Sequence, residues 1–591
     1  MNIKNEQVEK ENKISNIRIA DYGISIGLTA LFLLIMSLVY DVTYEINDDV
    51  MILNILSGRI FNMDAASYYL SIELGTILKL LYSIIPGVSW YGLMLIFCYG
   101  IGLFLILHRG LSFFDKIKNK VLCAILVILI FSALFFRYCI LIHYTVTAAF
   151  VGAVGIALFI TSDIEKNKKS IYASIVLFWL SYLIRENIGL MLLPFVFIAF
   201  IFLILRDEMS SIRKYLPYAI VFLAGFMLLF FINHMTPTTK EWKEYKEYND
   251  IRTTVYDYVL IDESDEKAME YYKSRGLSEE DVYLYDGYDV MLDDEDSKEK
   301  LNIFADYYNI KNEGVSFTDK AKKAVYSYIY RVTKEKNDRP LGTLAIFLYI
   351  VSVGSIIVTK KYRYLIIPVL SGCYRSAFWS YLYFKGRYPD RVLISLFFME
   401  IMLLLAVLFE LSHRYSVNTW LRAALYTLII VGMCIVLVYQ CRSLSKDYKK
   451  QLSVNQTYDV LYLYMDSHPD NFYFLDVFSV CNYTEKAILN GNSENKSDNM
   501  KKDSDAVNRK NHVLIGGWIT KHPQMNKLFN YQGVANAKDA INNKGCLLVS
   551  EQKDGPDKES FEKWLGTELE EIDKVVSNDK VFIIYRVSTD E

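Results

Sequence analysis

The sequence predicts an all-α polytopic membrane protein with about 11 transmembrane helices and a small C-terminal extracytoplasmic α/β domain. Three observations carry this expectation. The apolar residues fall in long blocks, as spanning helices require, and not in the short periodic groups of a soluble core. Of 591 residues, 53% are hydrophobic and 22% charged, against ~45–50% and ~25% in soluble domains. From Arg442 onward the blocks stop, and short strand-like runs alternate with helical stretches.

The elements follow in chain order. Residues 1–21 hold Lys4, Lys10, Lys13 and Arg18, which puts this segment in the cytoplasm. The membrane part covers 22–439. Eleven blocks approach the ~20 apolar residues that a span needs. They are 22–40, 90–108, 121–136, 144–161, 171–184, 188–205, 215–232, 342–359, 364–383, 392–411 and 422–439. The first is too long and too deep in the chain for a cleaved signal peptide. The loops 108–120, 163–169, 206–214 and 360–363 are basic and alternate with loops that are not, so they mark the inner side. Eleven spans then leave the domain 442–591 outside. Segment 234–340, with 17 Lys/Arg against 25 Asp/Glu, also falls outside.

The block 67–85 carries Glu73 and Lys79. Counted as a span, it would turn every later basic loop outward, so it reads as an amphipathic helix in the outer interface. A second short helix, over 47–58 and capped by Asn47 or Asp48, is expected beside it. The apolar run 171–205 is broken once, by Arg185-Glu186-Asn187. Three polar groups cannot stay in hydrocarbon, so the run is a helical hairpin whose tip reaches the outer surface. In the tail, strands are expected over 472–480, 512–519, 546–550 and 581–587. Helices are expected over 458–465, 538–542 and 560–569, and a mobile polar loop over 491–510.

Composition also excludes. Lys+Arg 64 against Asp+Glu 67 gives a net charge of −3, so no basic excess points to a nucleic-acid partner. Ten prolines and 28 glycines rule out a collagenous or low-complexity chain. The eight cysteines show no CxxC and no Cys/His zinc spacing, and read as structural thiols.

Residues able to do chemistry gather on the outer face. Asp48 and Asp49 follow the first span, and the hairpin tip supplies Arg185 and Glu186. The loop after the ninth span adds Lys385, Arg387 and Arg391, against the positive-inside tendency. Arg375 lies inside the preceding apolar block, where a cation wants an anionic partner. Such a set suits a sugar phosphate: a carboxylate as general base for an acceptor hydroxyl, arginines as bidentate phosphate ligands. Each has a structural rival. The acids fit a solvated helix start, Arg185–Glu186 an anchor pair, the loop cations lipid headgroups, and His143 a packing role at a helix end.

The ordered stretches Asn47-Asp48-Asp49, Ile85-Pro86-Gly87-Val88-Ser89-Trp90-Tyr91, Leu183-Ile184-Arg185-Glu186-Asn187 and Gly386-Arg387-Tyr388-Pro389-Asp390-Arg391 resemble the GT-C superfamily of polytopic glycosyltransferases. Among these, bacterial O-antigen glucosyl-modifying enzymes look nearer than protein O-mannosyltransferases. The resemblance reaches to about Tyr439. It implies a polyprenyl-phosphate sugar donor, a glycan or other cell-envelope acceptor, inversion at the anomeric carbon, and a carboxylate base at Asp48 or Asp49. It implies donor-phosphate binding by Arg185, Arg375, Arg387 or Arg391, with Glu186, Lys385 and His143 supporting. A divalent metal stays open, since phosphate-donor relatives work without one and pyrophosphate-donor relatives need one. The runner-up readings are a flippase of lipid-linked saccharide and a non-enzymatic envelope scaffold. The tail phrase Ile515-Gly516-Gly517-Trp518 is distinctive but has no assigned chemistry.

Overall fold

The computed structural model describes residues 2–165, 168–208, 211–235, 239–259, 261, 263–286, 295–335, 338–415, 419–488 and 509–588. The mobile loop expected over 491–510 lies outside these residues, apart from its last two. The membrane part opens with α1 (Asn2–Val39), β1 (Thr43–Tyr44), α2 (Asn47–Ser57), α3 (Ile72–Ile84), α4 (Trp90–Leu111), α5 (Ile117–Ile140), β2 (Leu141–Ile142) and α6 (Tyr144–Ile160). It continues with α7 (Lys168–Ile184), α8 (Glu186–Asp207) and α9 (Ile212–Met235). Then come α10 (Lys240–Thr254), a π-turn at Val255–Val259, α11 (Glu266–Ser274), α12 (Glu279–Asp286), α13 (Ser297–Glu313) and α14 (Phe317–Lys334). The bundle closes with α15 (Leu341–Val358), α16 (Ile366–Lys385), α17 (Asp390–Arg414) and α18 (Thr419–Ser467).

Among the described residues, eight helices are long and apolar enough to cross a membrane: the stretch 20–39 of α1, α4, α5, α8, α9, α15, α17 and the stretch 422–467 of α18. The other three expected blocks are helical, as α6, α7 and α16. At 17 residues, α6 and α7 rise only about 25 Å, and α16 carries Arg375 within it. The apolar helix α6 sits at the centre of the bundle, packed by α4, α7, α8 and α17, and is buried almost throughout. Successive helices run to and from one common end. There the tips of α8 and α9 meet through Glu186 and His234, 3.5 Å apart. At the other end Arg414 pairs with Glu410 at 2.9 Å and lies 3.7 Å from Asp207.

The two short helices before α4 differ in detail from the sequence reading. The first residue of α2 is Asn47, and its N-cap is Ile46, whose aliphatic side chain makes no capping hydrogen bond. Neither Asn47 nor Asp48 caps it, because both already lie in its first turn. The expected helix over 67–85 begins only at Ile72, with the Ser71 hydroxyl accepting from the Leu74 amide. Leu74, Leu78 and Tyr82 form its buried stripe, while Ile77, Leu80 and Ile84 are exposed. A helix apolar on both sides suits a boundary between protein and lipid.

Segment 477–588 adds β3 (Tyr473–Asp476) just before it, then α19 (Val477–Val480), β4 (His512–Ile515), α20 (Pro523–Gln532), α21 (Ala537–Lys544), β5 (Leu547–Glu551), α22 (Lys558–Leu565), β6 (Leu569–Ser577) and β7 (Lys580–Val587). The sheet order is β4-β3-β5-β7-β6. The first three strands are parallel and β7 and β6 antiparallel. Strand β6 was not expected from the sequence: Glu570, Glu571, Asp573 and Lys574 give it the charged character of a protected sheet edge. The helix expected over 458–465 is the end of α18, which runs without a break from the bundle into the sheet layer.

The sheet is fastened to the bundle end that gathers the candidate residues. The Ala487 amide donates to the Val42 carbonyl at 2.8 Å and the Tyr44 amide to the Glu485 carbonyl at 3.0 Å. Gly92 makes this approach possible, since a Cβ there would meet the Ala487 carbonyl oxygen at 2.0 Å. The Glu485 carboxylate, buried, is held by Arg59 at 2.6 Å and Lys510 at 2.9 Å. Burial alone pushes this carboxyl up, but the Arg59 and Lys510 charges overcome it and hold it far below the usual glutamate range. Its contribution to stability is therefore complete above the ordinary value of 4.5 and fades as the pH falls below it. Glu485→Gln leaves Arg59 buried without its counter-ion and should cost about 3–5 kcal/mol. Thermal unfolding of the purified protein checks this; a wild-type midpoint in the variant refutes it.

Candidate active site

Five stretches at that end of the bundle and the carboxyl edge of the sheet line a cleft of about 660 Å³, within the ~300–1,000 Å³ range of ligand sites. The start of α2 gives Asn47 and Asp48, and the hairpin tip gives Arg185 and Asn187. The turn before α17 gives Arg387 and Arg391, and the end of α10 with the π-turn gives Arg252, Asp257 and Tyr258. Tyr68 and Tyr69 come from the stretch before α3, and Phe478, Gly516, Gly517 and Trp518 from the sheet.

The adjacent acids Asp48 and Asp49 point in different directions, as neighbours on a helix must. Asp48 lines the cleft, and its Oδ1 accepts from the Trp518 indole at 2.9 Å. Among the described residues its Oδ2 takes no hydrogen bond. Asp49 is fully buried. Its Oδ1 accepts from the Tyr91 hydroxyl at 2.7 Å and the Tyr144 amide at 3.2 Å. Burial pushes the Asp49 carboxyl well above the usual carboxylate range, against the lowering pull of the Tyr91 hydroxyl. Asp49 has no face on the cleft, so of the two candidate acids only Asp48 lines it.

His143 stands behind this pair. Its Nδ1 accepts from the Thr145 amide at 3.1 Å, capping α6, and lies 4.0 Å from Asp49 Oδ2. Burial lowers its basicity well below the usual value, aided by the Arg391 and Arg185 charges. A neutral ring with its acceptor nitrogen on the backbone positions the α6 start and does not touch the cleft.

The cations divide as well. Arg185 lies over the rings of Tyr69 at 4.7 Å and Tyr144 at 5.3 Å. Neither Arg185 nor Arg391 has a carboxylate within ion-pair distance among the described residues. Arg387 is bound to Asp257. Burial raises the Asp257 carboxyl, and the Arg387, Arg252 and Arg391 charges draw it back. Arg375 does not reach the cleft: it pairs with the buried Glu400 of α17 at 3.3 Å, so the anion it requires is internal. Glu186 is also outside the cleft, bonded to Asn233 at 2.9 Å and near His234. Lys385 is exposed and does not line it.

Sequence reasoning missed Arg252, Asp257, Tyr69 and Trp518. Arg252 and Asp257 sit in a charge-rich segment where nothing sets them apart. Trp518 carried a signal in its Gly-Gly-Trp phrase. Gly516 holds φ 95° and ψ 176°, a region open essentially to glycine alone. That turn, directly after β4, carries the indole to Asp48. The Trp518 carbonyl is held in turn by the Tyr245 hydroxyl at 2.8 Å.

No group of three or more His, Cys, Asp or Glu side chains among the described residues is placed to hold a metal ion. No protein-family model, curated protein or solved structure matches the chain.

Proposed function

We propose that the protein is a multi-pass membrane glycosyltransferase of the GT-C type. It moves one sugar from a polyprenyl-phosphate carrier to a cell-envelope glycan outside the membrane, with inversion. The observation that carries this reading is the gathering, in one cleft at a helix-bundle end, of Asp48 with Arg185 and Arg391, neither of which has a carboxylate within ion-pair distance among the described residues. These residues lie far apart in sequence and belong to three different loops. In this reading Asp48 takes the proton of the acceptor hydroxyl, whose oxygen attacks the anomeric carbon. The sugar–phosphate bond breaks on the opposite face, and the arginines hold the negative charge that builds on the departing phosphate. The Trp518 indole fixes one oxygen of Asp48 and leaves the other toward the cleft.

The topology that goes with this function has eleven crossings, the N-terminus inside, and the sheet and the segment 234–340 outside. α6, although short, crosses inside the bundle with neighbours on all sides, and α7, equally short, crosses beside it with Tyr172 and Val176 on its outer face. A cysteine at Asp470, an exposed position in the turn before β3, should react with a membrane-impermeant maleimide in intact cells. Reaction only after lysis would overturn the sidedness. The function itself is tested with purified protein in liposomes and polyprenyl-phosphate-linked radiolabelled hexoses. Label should move into envelope glycan, and no transfer from any hexose donor by the wild-type protein would sink the reading.

A further inference from the structure

The two sides of the cleft differ in charge. Among the described residues, every charged side chain that lines it lies between positions 48 and 391. The described wall from 477–481 and 514–519 is uncharged, made of Val477, Phe478, Cys481, Leu514 and the run from Gly516 to Ile519. The chain carries 22% charged residues, so an uncharged wall facing a strongly charged one is a marked division of labour.

The neutral wall also has a privileged place in the fold. Its two segments directly follow β3 and β4, parallel neighbours in the sheet. Open α/β sheets hold ligands in the crevice outside the carboxyl ends of parallel strands. Phe478 stands there, 44% exposed, although all four residues of the strand before it are buried. Its backbone is fixed: the Asp476 carboxylate accepts from the Phe478 amide at 3.2 Å and the Ser479 amide at 2.7 Å. An exposed phenylalanine on a rigid turn inside a cleft is an apolar platform without an internal partner. Such a platform suits the C–H face of a sugar ring, which is flat, weakly polar and uncharged. It offers nothing to a phosphate or a carboxylate.

We propose that residues 477–481 and 514–519 form the acceptor subsite, and that the acceptor is an uncharged glycan stacked on Phe478. The assignment rests on the transferase reading and adds to it the side on which the acceptor lies and its chemical class. The donor phosphate keeps to the arginine side, and Asp48, held by Trp518, stands where the two sides meet.

Cys481 is exposed on the neutral wall and reports its occupancy. The other exposed cysteines, Cys373, Cys434 and Cys441, are first replaced by alanine in the full chain. Glycans released from the producing cell's envelope are separated by anion exchange into a neutral and an acidic pool. The rate of Cys481 alkylation is then measured with each pool. The neutral pool should protect Cys481. Protection should be lost in Phe478→Ala and kept in Phe478→Tyr, with each variant's rate compared with its own glycan-free rate. Protection by the acidic pool alone, by neither pool, or undiminished in Phe478→Ala overturns the subsite. Retention of radiolabelled polyprenyl phosphate is followed in parallel and should not change in Phe478→Ala. If that lipid binds while the neutral glycan does not, the subsite falls and the transferase reading stands. If the lipid fails to bind the wild-type protein, the transferase reading falls with it.

Discussion

Asp48→Asn should reduce sugar transfer by about 10²–10⁴-fold, the usual contribution of a general base, with little change in expression. Asparagine keeps the size of the side chain, and its carbonyl oxygen still accepts from the Trp518 indole at the 2.9 Å contact. What is lost is only the capacity to take a proton. Asp49→Asn is the matched control. The native carboxyl is buried and favours its protonated form. An amide can accept from Tyr91 and from the Tyr144 amide as the acid does, so turnover should stay near wild type. The two substitutions are chemically identical and one residue apart, and the pair separates a base from a framework acid. Initial rates of labelled-sugar transfer in membranes check this. Equal loss in both variants, or in neither, removes Asp48 from the role.

The acids also show what a sequence can and cannot reveal here. Each apolar block lies on a helix, and eight of those helices among the described residues are long and apolar enough to cross a membrane, because a continuous apolar stretch has few other ways to satisfy its backbone in lipid. The hairpin tip at Arg185 was legible for the same reason: three polar residues in an apolar run must leave the hydrocarbon. Side-chain direction within a short helix was not legible. Asp48 and Asp49 differ only by the ~100° turn between successive residues, and the packing of Tyr91 and Tyr144 decides which one is buried. The partner of Arg375 was equally hidden. Its depth called for an anion, but Glu400 is 25 residues away on an adjacent helix, and only helix packing brings the two together. Arg252, Asp257 and Trp518 come from segments remote from the first loop and reach it through the docking of α10 and the sheet. The edge strand β6 shows a different limit, since its exposed charges mask the alternation that marks a strand.

The same logic sorts the arginines, and it yields the second large effect. Arg185→Ala and Arg391→Ala should each raise the apparent donor KM. A hydrogen bond to a charged group contributes about 1.5–3 kcal/mol, equivalent to roughly 10- to 150-fold at ~1.36 kcal/mol per decade. Lysine at either position should recover only part of the loss, because an ammonium cannot match phosphate with a planar two-pronged fork. At position 185 it also forfeits guanidinium stacking on Tyr69 and Tyr144. Arg375→Lys should leave the donor KM unchanged, since that residue serves Glu400 and not the cleft. Arg387 is a distinct case. Its charge is already answered by Asp257, so a donor phosphate must compete with that carboxylate. Asp257→Asn removes the competitor and should lower the donor KM. Donor concentration series for the six variants, with acceptor held constant, decide the matter. If Arg185 and Arg391 bind lipid headgroups instead, lysine serves as well as arginine and the donor dependence of all six remains that of the wild type.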